Sequence, residues 1–344
     1  MNEIDTEHID DPVASTGVRP QNRQPDTTRI GDPVFILVPP RSFSSVGCAM
    51  IGQHPQMHGL PETHLFCDET MAQWWKRSSQ AMYPMADGLV RAVAQLCFGE
   101  QNETTVNMAR GWLRRRSHLT TGHLFEALLE KAHPLILLEK SPSTVHYPES
   151  LQRVFSFFPR AKFIHLLRHP RGQGESVMKY IADRAQYGSI PLWLQTLASF
   201  PDPFASEGEM QQSAPDIDPQ KGWYVLNRNI SEFLEGVPHE RKLQVRGEDL
   251  LSDPDHSLRR IAGWLGLRTD QEAIDEMKHP ERSPYAGYGP AGARYGNDAF
   301  FLRSPALGSS RVEEQSLEGP LSWRQDGQGF RPEVKQLAQQ FGYQ

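Results

Sequence analysis

The sequence predicts an α/β fold built on a parallel, doubly wound sheet, and three observations carry that reading. Short apolar, β-branched runs bounded by turn residues recur at 34–38, 134–138, 162–167 and 242–246, as in strands buried on both faces. Between them lie segments with apolar residues at spacings of three and four, the helical period. Strands alternating with helices in this way pair in parallel through helical crossovers.

Taken in order, residues 1–30 are acidic and polar with almost no large apolar side chain, so a mobile tail is expected there. The strand at 34–38 stops at Pro39-Pro40, which remove ladder donors and fix φ, and 46–51 has the apolar content of a helix. A short second strand is expected to end near Leu60-Pro61, with Glu62 and His64 just beyond it. From 70 to 132, Met71, Trp74, Leu89, Val93, Leu124 and Leu128 fall on apolar faces and predict a helical cap insertion beside the sheet. The next strands run into Glu139-Lys140-Ser141-Pro142 and Arg168-His169-Pro170-Arg171. Residues 182–220, rich in Pro, Ser, Gly and acid, read as a loop-rich lid, with a helix at about 221–234 after it. Asp253-Pro254 opens a helix with Leu258, Ile261, Ala262 and Leu265 inward and Gly266 as its stop. Thr269 with Glu272 reads as a capping box for the following helix, 279–328 as loop, and 332–341 as the last helix. One domain, 31–344, is expected after the tail.

The balance of 36 Lys and Arg against 42 Asp and Glu gives a net charge of −6. A general nucleic-acid or acidic-membrane binder is thereby disfavoured, and any anion site must be local. Cys48, Cys67 and Cys97 have no disulfide-framework spacing and suit a reducing cytoplasm. No apolar run of about eighteen residues occurs, and no secretory signal is expected at the N-terminus.

The chemistry concentrates at strand ends. A strand, a small polar loop with Arg41, Ser42, Ser44 and Ser45, and a helix start combine unpaired first-turn N–H groups with a planar cation and hydroxyl donors. This is a cradle for phosphate or sulfate. It is not the Walker A loop, because no lysine stands at the helix start. Arg168 at a strand end and Ser176 eight residues later can grip another anion from two sides. Glu62 and His64 lie at the sheet edge where ligands of open α/β folds bind, and either can accept a proton. A histidine there can equally be a packing residue. His54, His58 and His64 lack the spacing of a metal set, and no metal is expected.

These motifs, in this order, resemble the sulfotransferases that use 3′-phosphoadenosine 5′-phosphosulfate (PAPS). Pro40-Arg41-Ser42-Phe43-Ser44-Ser45 is similar to their P-R-S-G-T-T loop, and Arg168-His169-Pro170-Arg171 with Ser176 to their 3′-phosphate motif. Glu139-Lys140-Ser141-Pro142 is similar to E-K-T-P, and Arg246-Gly247-Glu248-Asp249-Leu250 to R-Y-E-D-L. The segments around Leu60–His64, 279–290 and 296–302 resemble the sulfotransferase domains of polyketide and peptide assembly lines. The resemblance implies a P-loop-like three-layer fold and sulfuryl transfer from PAPS to a hydroxyl or amine of a specialised-metabolite intermediate, free or on a carrier protein, in the cytoplasm. It implies cofactor contacts from Arg41, Ser42, Phe43, Ser44, Ser45, Val46, Arg168, Ser176 and Arg311, with the amides of 46–48 on the anion. Arg41 and Arg168 would take opposite ends of the cofactor, Lys140 would steady the leaving oxygen, and Glu62, or else His64, would be the base. Phe43 and Gly247 depart from the pattern, in place of a glycine and a tyrosine. Phe43 is expected to keep negative φ and to turn its ring towards the cap or the acceptor cleft. A small-molecule or nucleotide kinase, and a non-catalytic nucleotide-binding scaffold, are the alternatives.

Overall fold

Five strands, β1 (Val34–Leu37), β2 (Met57–Gly59), β3 (Ile136–Glu139), β4 (Lys162–Leu167) and β5 (Lys242–Arg246), form one parallel sheet in the order β2-β3-β1-β4-β5. This computed structural model describes residues 31–81, 84–185, 194, 200, 203–204, 218–308 and 315–344. The expected tail at 1–30, most of the expected lid at 182–220, and Arg311 lie outside them.

Successive strand residues feed two different cores, which is the reason for the three-layer build. Phe35, Leu37, Leu137 and Phe163 point to one face, against α2 (Met71–Gln80), α3 (Asp87–Phe98), α4 (Glu103–Arg114), α5 (Thr121–Ala132) and α6 (Pro148–Phe157). Val34, Ile36, Leu138, Ile164 and Leu166 point to the other, against α1 (Ser44–Gly52) and the helices that follow β5. Those helices are α9 (Gly247–Ser252), α10 (Pro254–Leu265) and α11 (Gln271–Met277). The first core is centred on Phe35, whose ring meets those of Phe66, Phe125, Phe158 and Phe163. The fold is α/β and P-loop-like, as expected.

Helix ends follow local chemistry. Thr70 caps α2 through Gln73 N in a capping box, and Asn102 caps α4 through Thr105 N. Asp253 caps α10, which stops at Gly266 with φ 79°. Two boundaries differ from the sequence reading. The cap of α11 is Asp270, whose carboxylate accepts from Ala273 N, so the Thr269–Glu272 box does not form. Strand β3 starts at Ile136, because Pro134 has no N–H and Leu135 N donates to Ala132 O.

The strand order puts β1 between β3, reached first, and β4, reached later. The chain thus reverses its direction of winding beside β1. The crevice at the C-terminal end of β1, where residues 38–44 lie, is a topological switch point, the usual ligand site of such sheets.

Candidate functional site

The loop after β1 is held in an uncommon backbone. Arg41 has φ 67°, Phe43 has φ 60°, and His64, after β2, has φ 51°. These are the non-glycine residues of positive φ among the described residues, and all lie at the C-terminal edge of the sheet. Left-handed backbone costs an L-residue about 1–2 kcal/mol, so such positions persist only where the surroundings over-determine them. Phe43 therefore does not keep the negative φ expected of it. As the residue before α1 it must turn the chain from the strand into the helix, and the left-handed conformation does so. Its ring also goes elsewhere than the cap or the acceptor cleft: it lies under the Arg168 guanidinium, 4.2 Å from ring centre to Cζ.

Two further features shape the loop. Gly47 N donates to Phe43 O at 2.9 Å, so that amide is consumed by the helix. Of the amides expected to face an anion, that of Val46 belongs to the unbonded first turn and that of Gly47 does not. Ser42 is buried, and its hydroxyl has no hydrogen-bond partner among the described residues.

Arg41 and Arg168 converge on one cavity. Arg168 Nη1 donates to Arg41 O at 2.7 Å, and Arg41 Nε donates to Ser176 Oγ at 3.2 Å. Together with Lys179, Tyr180, Glu175, Gly172 and Phe300 these residues line a cavity of about 410 Å³. Helix α7 (Pro170–Ala185) supplies one wall, and it is tied to the loop by Gln173 Nε2 donating to Pro40 O at 2.9 Å. Burial pushes Arg168 down to about 10, which leaves it charged at neutral pH. It makes no ion pair with a carboxylate among the described residues. Arg41 does: its Nη1 pairs with the Asp298 carboxylate.

A second cluster lies on the other side of Ser45. Lys140 is fully buried, and its ammonium has three acceptors for its three protons: Glu62 Oε1 at 2.6 Å, Ser45 Oγ at 3.2 Å and Asn297 Oδ1 at 3.3 Å. Glu62 is one-fifth exposed, so its carboxylate meets both Lys140 and solvent. His64 Nε2 stands 3.7 Å from Glu62 Oε2, beyond hydrogen-bond distance, while Nδ1 is 2.7 Å from Ser143 Oγ. Burial, with help from Arg77 and Lys140, pushes His64 down to about 3, so it is neutral at physiological pH. The turn that carries both residues is pinned from below. Glu139 accepts from Thr63 Oγ1 at 2.8 Å and from Ser141 Oγ at 2.5 Å, and Ser141 Oγ in turn accepts from His64 N.

The sequence-predicted residues thus form two neighbouring groups, one around Arg41, Arg168 and Ser176, the other around Lys140, Glu62 and His64, with Ser45 between them. Val46 turns its side chain into a small apolar cluster with Ala49, Phe301 and Leu302. Asn297 and Asp298 had been read only as part of a family segment; nothing in their local pattern announced that they would reach Lys140 and Arg41. Lys179 is one turn beyond Ser176 on the same helix, a spacing that could have marked it.

Residues 33–271 match the sulfotransferase family. The chain belongs to the sulfotransferase family. No curated protein matches it in sequence. Among solved structures, the sulfotransferase domain from the curacin biosynthetic pathway is similar with a TM-score of 0.67 and 22% identity, covering 92% of this chain and 99% of that one. The sulfotransferase domain of the Synechococcus PCC 7002 olefin synthase has a TM-score of 0.67 and 23% identity, covering 91% and 95%. At such identity the likeness speaks for the fold, and the family match for the enzyme class: this sulfotransferase transfers sulfuryl groups. Among its described residues no helix is long and apolar enough to cross a membrane.

Proposed function

We propose that the protein transfers the sulfuryl group of PAPS to a hydroxyl or amine of a specialised-metabolite acceptor, free or tethered to a carrier protein. The observation that carries this reading is the convergence of Arg41, Arg168, Ser176 and Lys179 on one cavity beside the Lys140–Glu62 pair. A nucleotide with phosphate at both its 3′ and 5′ positions needs a cationic cavity, and Arg168 is a half-buried cation with no carboxylate partner among the described residues. The buried, unpartnered hydroxyl of Ser42 fits the same ligand, since a buried donor without an acceptor costs about 1–3 kcal/mol until one arrives. Resemblance to assembly-line sulfotransferase domains supports the acceptor class.

Arg168, Ser176 and Lys179 would hold the 3′-phosphate. Arg41, Ser42, Ser44, Ser45 and the first-turn amides up to Val46 would hold the phosphosulfate end, with Phe43 behind Arg168. Bound PAPS supplies a sulfuryl group already joined to a phosphate leaving group. The chain's own work is to position and to neutralise charge. Glu62 accepts the proton of the acceptor as its oxygen or nitrogen bonds to sulfur. Lys140, already held by Ser45, neutralises the phosphate oxygen as the sulfur–oxygen bond breaks. His64, neutral and fixed by Ser143, backs the carboxylate and is the alternative base.

Calorimetry with 3′-phosphoadenosine 5′-phosphate and with ATP, followed by turnover of labelled PAPS, tests this. The bisphosphate should bind and ATP should bind far more weakly. Preferential binding of ATP would point to a kinase, and bisphosphate binding without turnover on any acceptor extract would point to a scaffold.

A further inference from the structure

The chain departs from its family motifs at Phe43 and at Gly247, 204 residues apart in the sequence, and the structure brings the two into contact. A Cβ placed on Gly247 would lie 2.3 Å from Phe43 Cδ2 and 3.1 Å from Cε2. Real Cβ atoms do not approach so closely, so the ring occupies the space of a side chain at 247. Gly247 is the first residue of α9, where φ is not positive, so its backbone would accept any residue. The ring, more than the backbone, excludes one; Leu167 O also comes within 3.1 Å.

The face of the same ring lies under Arg168, 4.2 Å from its guanidinium. That guanidinium donates to Arg41 O and opens onto the anion cavity. A half-buried guanidinium with no carboxylate partner among the described residues gains from a compensating surface. The electron-rich face of an aromatic ring supplies one while leaving the outer N–H groups for a ligand. A carboxylate in the same place would compete for those groups, as Asp298 does at Arg41.

We infer that Phe43 and Gly247 are one coupled device, in which the loop aromatic takes the space vacated at 247 and acts as a positioning residue for Arg168 at the cofactor cavity. The positive φ of Phe43 is the strain carried to place the ring there. This inference rests on the proposed cofactor reading only for the identity of the anion.

The test uses the full chain, with 3′-phosphoadenosine 5′-phosphate and adenosine 5′-monophosphate as calorimetric probes and thermal melting alongside. Phe43→Gly relieves the left-handed backbone, so a merely structural ring would leave binding unchanged. The positioning role predicts that Phe43→Gly weakens the bisphosphate about tenfold, the upper range of a ring–guanidinium contact. Its affinity for the monophosphate should stay within about twofold, and its melting temperature should not fall by more than two or so degrees. Gly247→Ala should weaken the bisphosphate while Phe43 is present and have little further effect in the Phe43→Gly background. If Gly247→Ala alone fails to fold, folding of the Phe43→Gly/Gly247→Ala double variant supports the collision directly. Phe43→Gly/Gly247→Tyr should recover part of the lost affinity by returning a ring to Arg168. Wild-type affinity in Phe43→Gly, or an effect of Gly247→Ala that is the same with and without the ring, would overturn the inference alone. Failure of the unmodified chain to bind the bisphosphate would overturn the cofactor reading and this inference together.

Discussion

At the residue scale the site turns on which charges are already paired. Lys140 holds Glu62 at 2.6 Å, close to the place where a leaving oxygen must be neutralised. Glu62→Gln keeps an acceptor for Lys140 but removes the basic carboxylate, so turnover should fall about a hundredfold or more with bisphosphate affinity within about twofold. If Glu62→Gln stays active and His64→Ala is dead, the base is His64. Burial pushes His64 down to about 3, so a His64 base would leave no histidine ionisation near pH 6 in the pH–rate profile. Arg41 offers a second experiment. Its partner Asp298 holds a group that lines the anion cavity, and also caps a short helix through Phe300 N and Phe301 N. Asp298→Asn retains the cap and releases Arg41, so inorganic sulfate and the bisphosphate should bind roughly three- to tenfold more tightly, read by calorimetry. Weaker binding would mean that Asp298 orients Arg41 and does not compete for it. None of this pairing was legible in the sequence, because Asn297 and Asp298 are far from Lys140 and Arg41 along the chain and reach them only through the fold.

At the scale of elements, the helices between β2 and β3 do more than cover the sheet. Trp74 Nε1, on α2, donates to Thr63 O, and Arg77 Nη2 to His64 O. On α3, a Cβ at Gly88 would lie 1.9 Å from Glu62 O, and Glu62 N donates to Gly296 O at 2.7 Å. Gly296 itself has φ 120°, and its own Cβ would meet Gly88 Cα at 2.8 Å. Three backbones therefore meet at the candidate base with no room for a methyl group. Gly88→Ala, in a buried helix with no contact to any ligand, should push Glu62 off its place. Turnover should fall at least tenfold and the melting temperature by several degrees, overpacking of this kind costing about 1–3 kcal/mol. Wild-type turnover in a well-folded Gly88→Ala would show that the base tolerates displacement. The elements themselves were largely readable: 162–167 and 242–246 are strands as their apolar runs indicate, and Gly266 stops α10. Periodicity reports burial: β4 is buried from Phe163 to Leu167, and β5 buries Val245 while Gln244 is exposed. Periodicity is blind to turn chemistry that two residues can both supply, which is why Asp270 and not Thr269 caps α11. It is equally blind to a left-handed phenylalanine, since sequence propensity argues against one and only tertiary packing against Gly247 and Arg168 admits it.

At the scale of the whole molecule, buried histidines set the response to acid. Burial pushes His58, His165 and His169 down to about 4, and His64 and His146 to about 3, from an ordinary value of 6.5. The folded chain therefore refuses protons that the unfolded chain takes up. Stability is fully present above pH 6.5 and is lost as the pH falls from there towards 4, by up to about 1.4 kcal/mol per pH unit for each group. Burial pushes His54 down as well, while Glu139 and Asp87, whose carboxyls burial pushes up, work in the opposite direction. The melting temperature should thus be flat between about pH 7 and 8 and drop on the order of ten degrees between pH 6.5 and 5. His165→Gln, which can still meet Asn227, should reduce that slope by about one group's share. A melting temperature that is constant or rises on acidification to pH 5 would contradict the burial of these side chains. The same measurement bears on catalysis. Loss of the folded state lowers turnover in acid, but it does not touch initial rates taken before unfolding begins. Melting curves and initial rates over the same pH series therefore tell the base apart from the scaffold that holds it.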